Sequence, residues 1–111
     1  MLKLPNGEIA EIPDEKLTSY LLNRDHADGA PKAKFFAQFG FTIDQPGELA
    51  ESLRDHAVSA EVTKEMEFDF GEKFVLEGPL KTPDGRSPIL ISVWVREGEQ
   101  PEPRLVTAYP A

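Results

Sequence analysis

Two stretches carry the residues able to do chemistry. Near the N-terminus, "NRDHADGAPKAKFF" sets His26 in a glycine-containing loop a few residues before Lys32 and Lys34. At the end of the chain, "RLVTAYP" offers Arg104, Thr107 and Tyr109. An imidazole titrates near neutral pH and can move a proton in either direction. Lysine ammonium groups balance the charge that develops on a phosphate, and hydroxyls two apart on a strand share a face and can bond its oxygens. The chemistry these residue types suggest together is phosphate-directed acid–base work, with His26, Lys32, Thr107 and Tyr109 as the reacting set and Lys34 and Arg104 as substrate-binding cations. Each has a plainer reading beside it: a loop histidine exposed to water, surface lysines, a strand with a polar outer face. Lys32 and Lys34 sharpen the question. Both fall in the first turn of an expected helix, where the dipole disfavours cations by a few tenths of a kcal/mol to about one.

Other candidates fall away. "DFG" at Asp69 to Gly71 lacks the glycine-rich loop, strand lysine and catalytic loop of a protein kinase, and reads as a strand end and turn. Trp94 lies mid-strand and reads as core. His56, beside Asp55 on a charged helical stretch, reads as surface or helix-end packing. The chain has no cysteine, which excludes disulfides and thiolate metal sites. Two histidines without a His–carboxylate spacing motif argue against a zinc enzyme. A metal-dependent hydrolase built on carboxylates is therefore the weakest enzymatic reading, and no cofactor is expected.

These residues need elements to hold them. The 111 residues fit one domain, residues 1–111, with one modest core. "LKLPNGEIAEI" reads as two short extended pieces around a tight Asn6-Gly7 turn. "PDEKLTSYLLN" reads as a helix with Pro13 at its first position and Leu17, Tyr20 and Leu21 on one apolar face. Pro31 opens a second helix that Gly40 closes, with Phe35, Phe36 and Phe39 toward the core. A third helix through "GELAESLRDHAVS" repeats Leu49, Leu53 and Ala57 at i, i+4 and i+8.

After about residue 60 the apolar period changes to two. "AEVTKEMEFDF" alternates into a half-buried strand with one acidic face, and "KFVLEGPL" follows. "PILISVWVR" is nearly all apolar and is expected to be a central strand covered on both faces. "RLVTAYP" closes the set, with Leu105 expected on the face of Thr107 and Tyr109. Helices first and strands afterwards imply an α+β fold: N-terminal helices packed on one face of a roughly four-stranded antiparallel meander.

The net charge of −8 is uneven. Residues 43–79 hold ten acids and three bases, while residues 1–42 are nearly balanced and residues 80–111 neutral. Overall sign argues against non-specific nucleic-acid binding, yet a local basic cleft can still form in the near-neutral parts. There is no apolar run long enough to span a bilayer and no secretory h-region at the start, so a cytoplasmic protein without membrane contact is expected.

The separated motifs, "YLLN", His26, Gly29, Lys32-Ala33 with "KFF", and a terminal "RLVTAYP", resemble an uncharacterised bacterial family, a domain of unknown function. The likeness runs over nearly the whole chain, from the "LPNGE" start through the tryptophan strand. Similar segments occur at the C-terminal ends of large bacterial polymorphic toxins. Helices followed by four antiparallel strands are also similar in layout to the barnase–EndoU–colicin–RelE group of metal-independent ribonucleases. The resemblance implies a toxin-like, metal-independent endoribonuclease with RNA as substrate and a cognate antitoxin or immunity protein as partner. The chain departs from the family where a proline often follows the histidine: it has Ala27 and Asp28. An acid there would repel a phosphate. The alternative is a non-enzymatic protein-interaction module, or an inactive relative, using the acidic face or the sheet edge.

Overall fold

The computed structural model describes residues 2–111. Three helical segments precede four strands. α1 (Asp14–Lys16) runs directly into a π-helical turn (Leu17–Leu21), α2 spans Ala30–Gln38 and α3 spans Pro46–Ser59. The strands β1 (Glu61–Phe68), β2 (Gly71–Pro79), β3 (Ile89–Glu97) and β4 (Arg104–Pro110) form one antiparallel sheet in sequence order. This is the expected α+β meander.

Register explains how the sheet makes a core. Phe74 faces Trp94 and Trp94 faces Leu105; Leu76 faces Ser92 and Ser92 faces Ala108. All six are essentially inaccessible to solvent. Leu17, Leu21, Phe36, Leu49 and Leu53 cover them from the helical side. α3 carries the apolar repeat the spacing predicts, with Leu49, Leu53 and Ala57 fully buried. On α2 the core contact narrows to Ala33 and Phe36, while Phe35 and Phe39 are only half-buried.

Five expectations need correction. The N-terminal segment is not a pair of extended pieces. Asn6 adopts a left-handed conformation (φ 56°) and leads into a 3-10 turn, Gly7–Ile9, tucked under α3. A Cβ on Gly7 would stand 2.6 Å from the Ala57 carbonyl oxygen, so the close approach requires glycine. Pro13 sits at the N-cap of α1, one position before the helix. β3 is fully covered only on the Leu90, Ser92 and Trp94 face; on the other face Val93 is buried, but Ile91 and Val95 are half-buried and Ile89 is exposed. Of the two readings of His56, surface or helix-end packing, the surface one fails: it lies in the last turn of α3 and is fully buried. Finally, Leu105 and Thr107 do not share a face. The β3–β4 register shifts between Val93 and Trp94, so Leu105 opposes Trp94 in the core while Thr107 opposes Val93. The unpaired Val106 is a bulge, and it re-aims everything after it by one residue.

Candidate functional site

β4 is an edge strand, and α1 and α2 border it. The loop of residues 23–29 joins those helices, so the His26 corner falls beside the last strand. Tyr20 makes the join. Its hydroxyl lies 3.0 Å from Thr107 Oγ1, and its ring meets the His26 ring edge-on at 5.1 Å between centroids. The ammonium groups of Lys16 and Lys32 approach the same ring at 5.4 Å and 5.3 Å, within cation–π range. Glu15, Lys16, Ser19, Tyr20, His26 and Thr107 line an open cleft of about 620 Å³, to which Asp28 also contributes.

The loop that presents His26 is built by local hydrogen bonds. Asn23 Oδ1 accepts from the Asp25 N–H (2.9 Å), and the His26 carbonyl accepts from the Ala30 N–H (2.9 Å). His26 Nδ1 accepts from two backbone N–H groups, those of Asp28 and Gly29, each at 3.0 Å. With Nδ1 filled by donors, the neutral ring carries its proton on Nε2 and presents a donor to the cleft. Gly29 is required here for space: its Cα packs so tightly on the Tyr20 carbonyl that a Cβ would overlap the oxygen. Lys32 stays in the first turn of α2, where local partners hold its ammonium. Its Nζ donates to the Asp28 carbonyl (3.1 Å) and lies over Tyr20.

Thus His26, Lys32 and Thr107 converge on one corner. Tyr109 lies on the Thr107 side of the sheet, opposite Ile91, outside the cleft lining. Lys34 is exposed on α2 away from it. Arg104 is at the start of β4, where it donates to Glu97 (2.9 Å). Tyr20, Lys16 and Glu15 were missed by sequence reasoning. Tyr20 was read only as part of an apolar face, although a tyrosine hydroxyl at the edge of such a face needs a polar partner. Among the described residues no three His, Asp or Glu side chains gather as a ligand set for a metal ion.

A second histidine–hydroxyl pair lies in the core. The Trp94 Nε1–H donates to Ser92 Oγ (2.8 Å), the Ser92 hydroxyl donates to His56 Nδ1 (2.8 Å), and His56 Nε2–H donates to the Gly78 carbonyl (3.0 Å). Burial pushes the His56 pKa below its ordinary value; the bond to Gly78 opposes this only in part. Ser92 and His56 have the contact of a nucleophile and base, but both are sealed from solvent, so the network is structural.

The family model for a domain of unknown function, DUF6883, matches residues 3–111, and the chain belongs to that family. No curated protein matches the sequence. Among solved structures, one chain of a contact-dependent growth inhibition toxin–immunity protein complex from Klebsiella pneumoniae 342 is similar in fold, with a TM-score of 0.72 at 18% identity. The match covers 90% of this chain and 98% of that one. No helix of the described residues is long and apolar enough to cross a membrane.

Proposed function

We propose that this chain is a toxin-like domain that cleaves RNA without a metal ion, at the corner where Tyr20, His26, Lys32 and Thr107 meet. The observation that carries the reading is that convergence. Residues 87 apart in sequence share a hydrogen bond beside a histidine and two lysines, in a chain otherwise strongly acidic. The fold likeness to a component of a toxin–immunity complex supports the same reading.

The reaction that suits such a site is internal transphosphorylation. The ribose 2′-oxygen attacks phosphorus, the bond to the 5′-oxygen breaks, and a cyclic phosphate and a 5′-hydroxyl result. The 2′ proton must go to a base, and the leaving oxygen takes one from water or an acid. Toward the phosphate, His26 offers Nε2–H as a donor, because its Nδ1 is held by backbone N–H groups. A base role for His26 would require the 26–29 loop to release Nδ1. In the described arrangement Glu15, a residue of the same cleft, would take the 2′ proton. Lys32 and Lys16 balance the charge that grows on the phosphoryl oxygens, and the Tyr20–Thr107 hydroxyl pair fixes one of them. Lys34, Arg104 and Tyr109 would then act on the substrate strand beyond the cleft. A cognate immunity protein is the partner expected of such a domain.

One observation favours a second reading, a non-enzymatic interaction module. β1 is the other edge of the sheet, most of its residues are exposed, and Phe68 and Phe70 pack edge to face on each other at its end. Purified protein incubated with total RNA separates the two. Cleavage that His26→Ala and Thr107→Val abolish supports the enzyme. Intact RNA together with recovery of a bound protein supports the module.

A further inference from the structure

The loop that holds His26 has a second side. His26 and Asp28 face the cleft with Thr107, whereas Arg24 and Asp25 border a separate cavity of about 400 Å³ between the loop, α2 and the segment after α2. That volume lies within the range of small-molecule sites, roughly 300–1,000 Å³. Its apolar lining is Leu22, Ala33 and Ala37, the last two one turn apart on α2, with Phe41 and Ile43 from the segment after α2. The two alanines leave the space, and Ile43 is half exposed at the mouth. The rim is polar. Arg24 and Asp25 are exposed, and neither side chain forms an ion pair among the described residues. A cavity with largely apolar walls and an unpaired guanidinium and carboxylate beside it has the chemistry of a nucleobase subsite. The ring faces are apolar, and the ring edge demands directed hydrogen bonds.

We infer that this cavity takes the base next to the scissile phosphate, and that the base is guanine. The inference rests on the ribonuclease reading above and gives it a sequence preference. Guanine presents two acceptors, O6 and N7, to an arginine fork, and N–H donors on its pairing edge to a carboxylate. No other standard base offers an acceptor pair on one edge and a donor pair on another. Placement fits as well. Arg24 and Asp25 stand one to two residues from His26, at most about 7 Å along an extended chain. A nucleotide laid over the loop therefore puts its base in one cavity and its phosphate in the other. Asp28 faces the phosphate side and Asp25 the base side, so the acidity of this loop is divided between the two.

The test uses the intact chain and needs no catalysis to read it. The 3′-monophosphates of guanosine, adenosine, cytidine and uridine, and inorganic phosphate, are titrated separately while methyl signals of Ala33, Ala37 and Ile43 and the ring signals of His26 are followed by NMR. Guanosine 3′-monophosphate is expected to move both groups of signals and to bind at least 10-fold more tightly than the pyrimidine nucleotides. Asp25→Asn and Ala37→Leu are expected to remove that difference while phosphate still moves His26. If all four nucleotides and phosphate move only His26, the base subsite is overturned and the phosphate corner stands. Shifts confined to the alanine and isoleucine methyls keep the subsite and overturn the phosphate corner. Equal binding of all four nucleotides at the methyls overturns the choice of guanine.

Discussion

Replacing His56 by alanine removes the acceptor of the fully buried Ser92 hydroxyl and the side-chain donor to the partly buried Gly78 carbonyl. Each buried polar group left unpaired costs about 1–3 kcal/mol. The Ser92 hydroxyl, the partly buried Gly78 carbonyl and the cavity together give a loss of about 4 kcal/mol. That is a large share of the roughly 5–15 kcal/mol that holds a domain together. The same residue gives a pH signature. Its folded-state pKa lies below the ordinary value, so above about pH 6.5 neither state is protonated and stability is flat. As pH falls below that value the unfolded chain binds a proton that the folded chain refuses. Stability therefore declines as the solution is acidified, by at most about 1.4 kcal/mol per pH unit, until the lowered folded pKa is passed. Unfolded carboxylates titrate near pH 4, so the window from about 6.5 to 5 is largely free of them. Urea denaturation at pH 7.5 and 5.5 would measure both effects. His56→Gln keeps a donor and an acceptor but cannot titrate, and should flatten this part of the profile. A loss below about 1 kcal/mol for His56→Ala, or an unchanged pH slope in His56→Gln, would refute the reasoning.

Three further outcomes follow from the site. Gly29→Ala should cost about 1–3 kcal/mol by steric overlap with the Tyr20 carbonyl, since its φ of −85° imposes no strain, and should move the His26 ring signals in NMR. Tyr20→Phe should cost about 0.5–1.5 kcal/mol in urea melts through loss of the Thr107 bond, and should slow RNA cleavage as well. Cleavage should persist in excess EDTA; a 10-fold fall that magnesium or zinc restores would contradict a metal-independent site.

The layout was readable because the hydrophobic period changes once, from about 3.6 to 2, near residue 60. The α3 repeat and the buried β3 stripe follow directly from it. What the sequence concealed are places where one residue shifts the pattern. The Val106 bulge leaves no composition signal, yet it sends Leu105 to the core and Thr107 to the opposite face. His56 looked like a surface residue because its helical neighbours are charged; its partners Ser92 and Gly78 come from strands far along the chain. The candidate corner was half legible. His26 and Lys32 announced themselves by position, but Tyr20, which links them to Thr107, was hidden in an apolar repeat. The strand end was legible in residue type and not in geometry: Tyr109 and Arg104 belong to the same short stretch, but neither lines the cleft.

The central claim is that the Tyr20–His26–Thr107 corner cleaves RNA, and end-point cleavage of total RNA by purified protein tests it most directly. Wild type, His26→Ala and Thr107→Val would be compared in EDTA at matched, circular-dichroism-verified folding. The account requires cleavage products ending in a cyclic phosphate from the wild type, and at least a 100-fold lower rate from each variant. RNA left intact by folded wild-type protein, or cut equally well by all three, would contradict it.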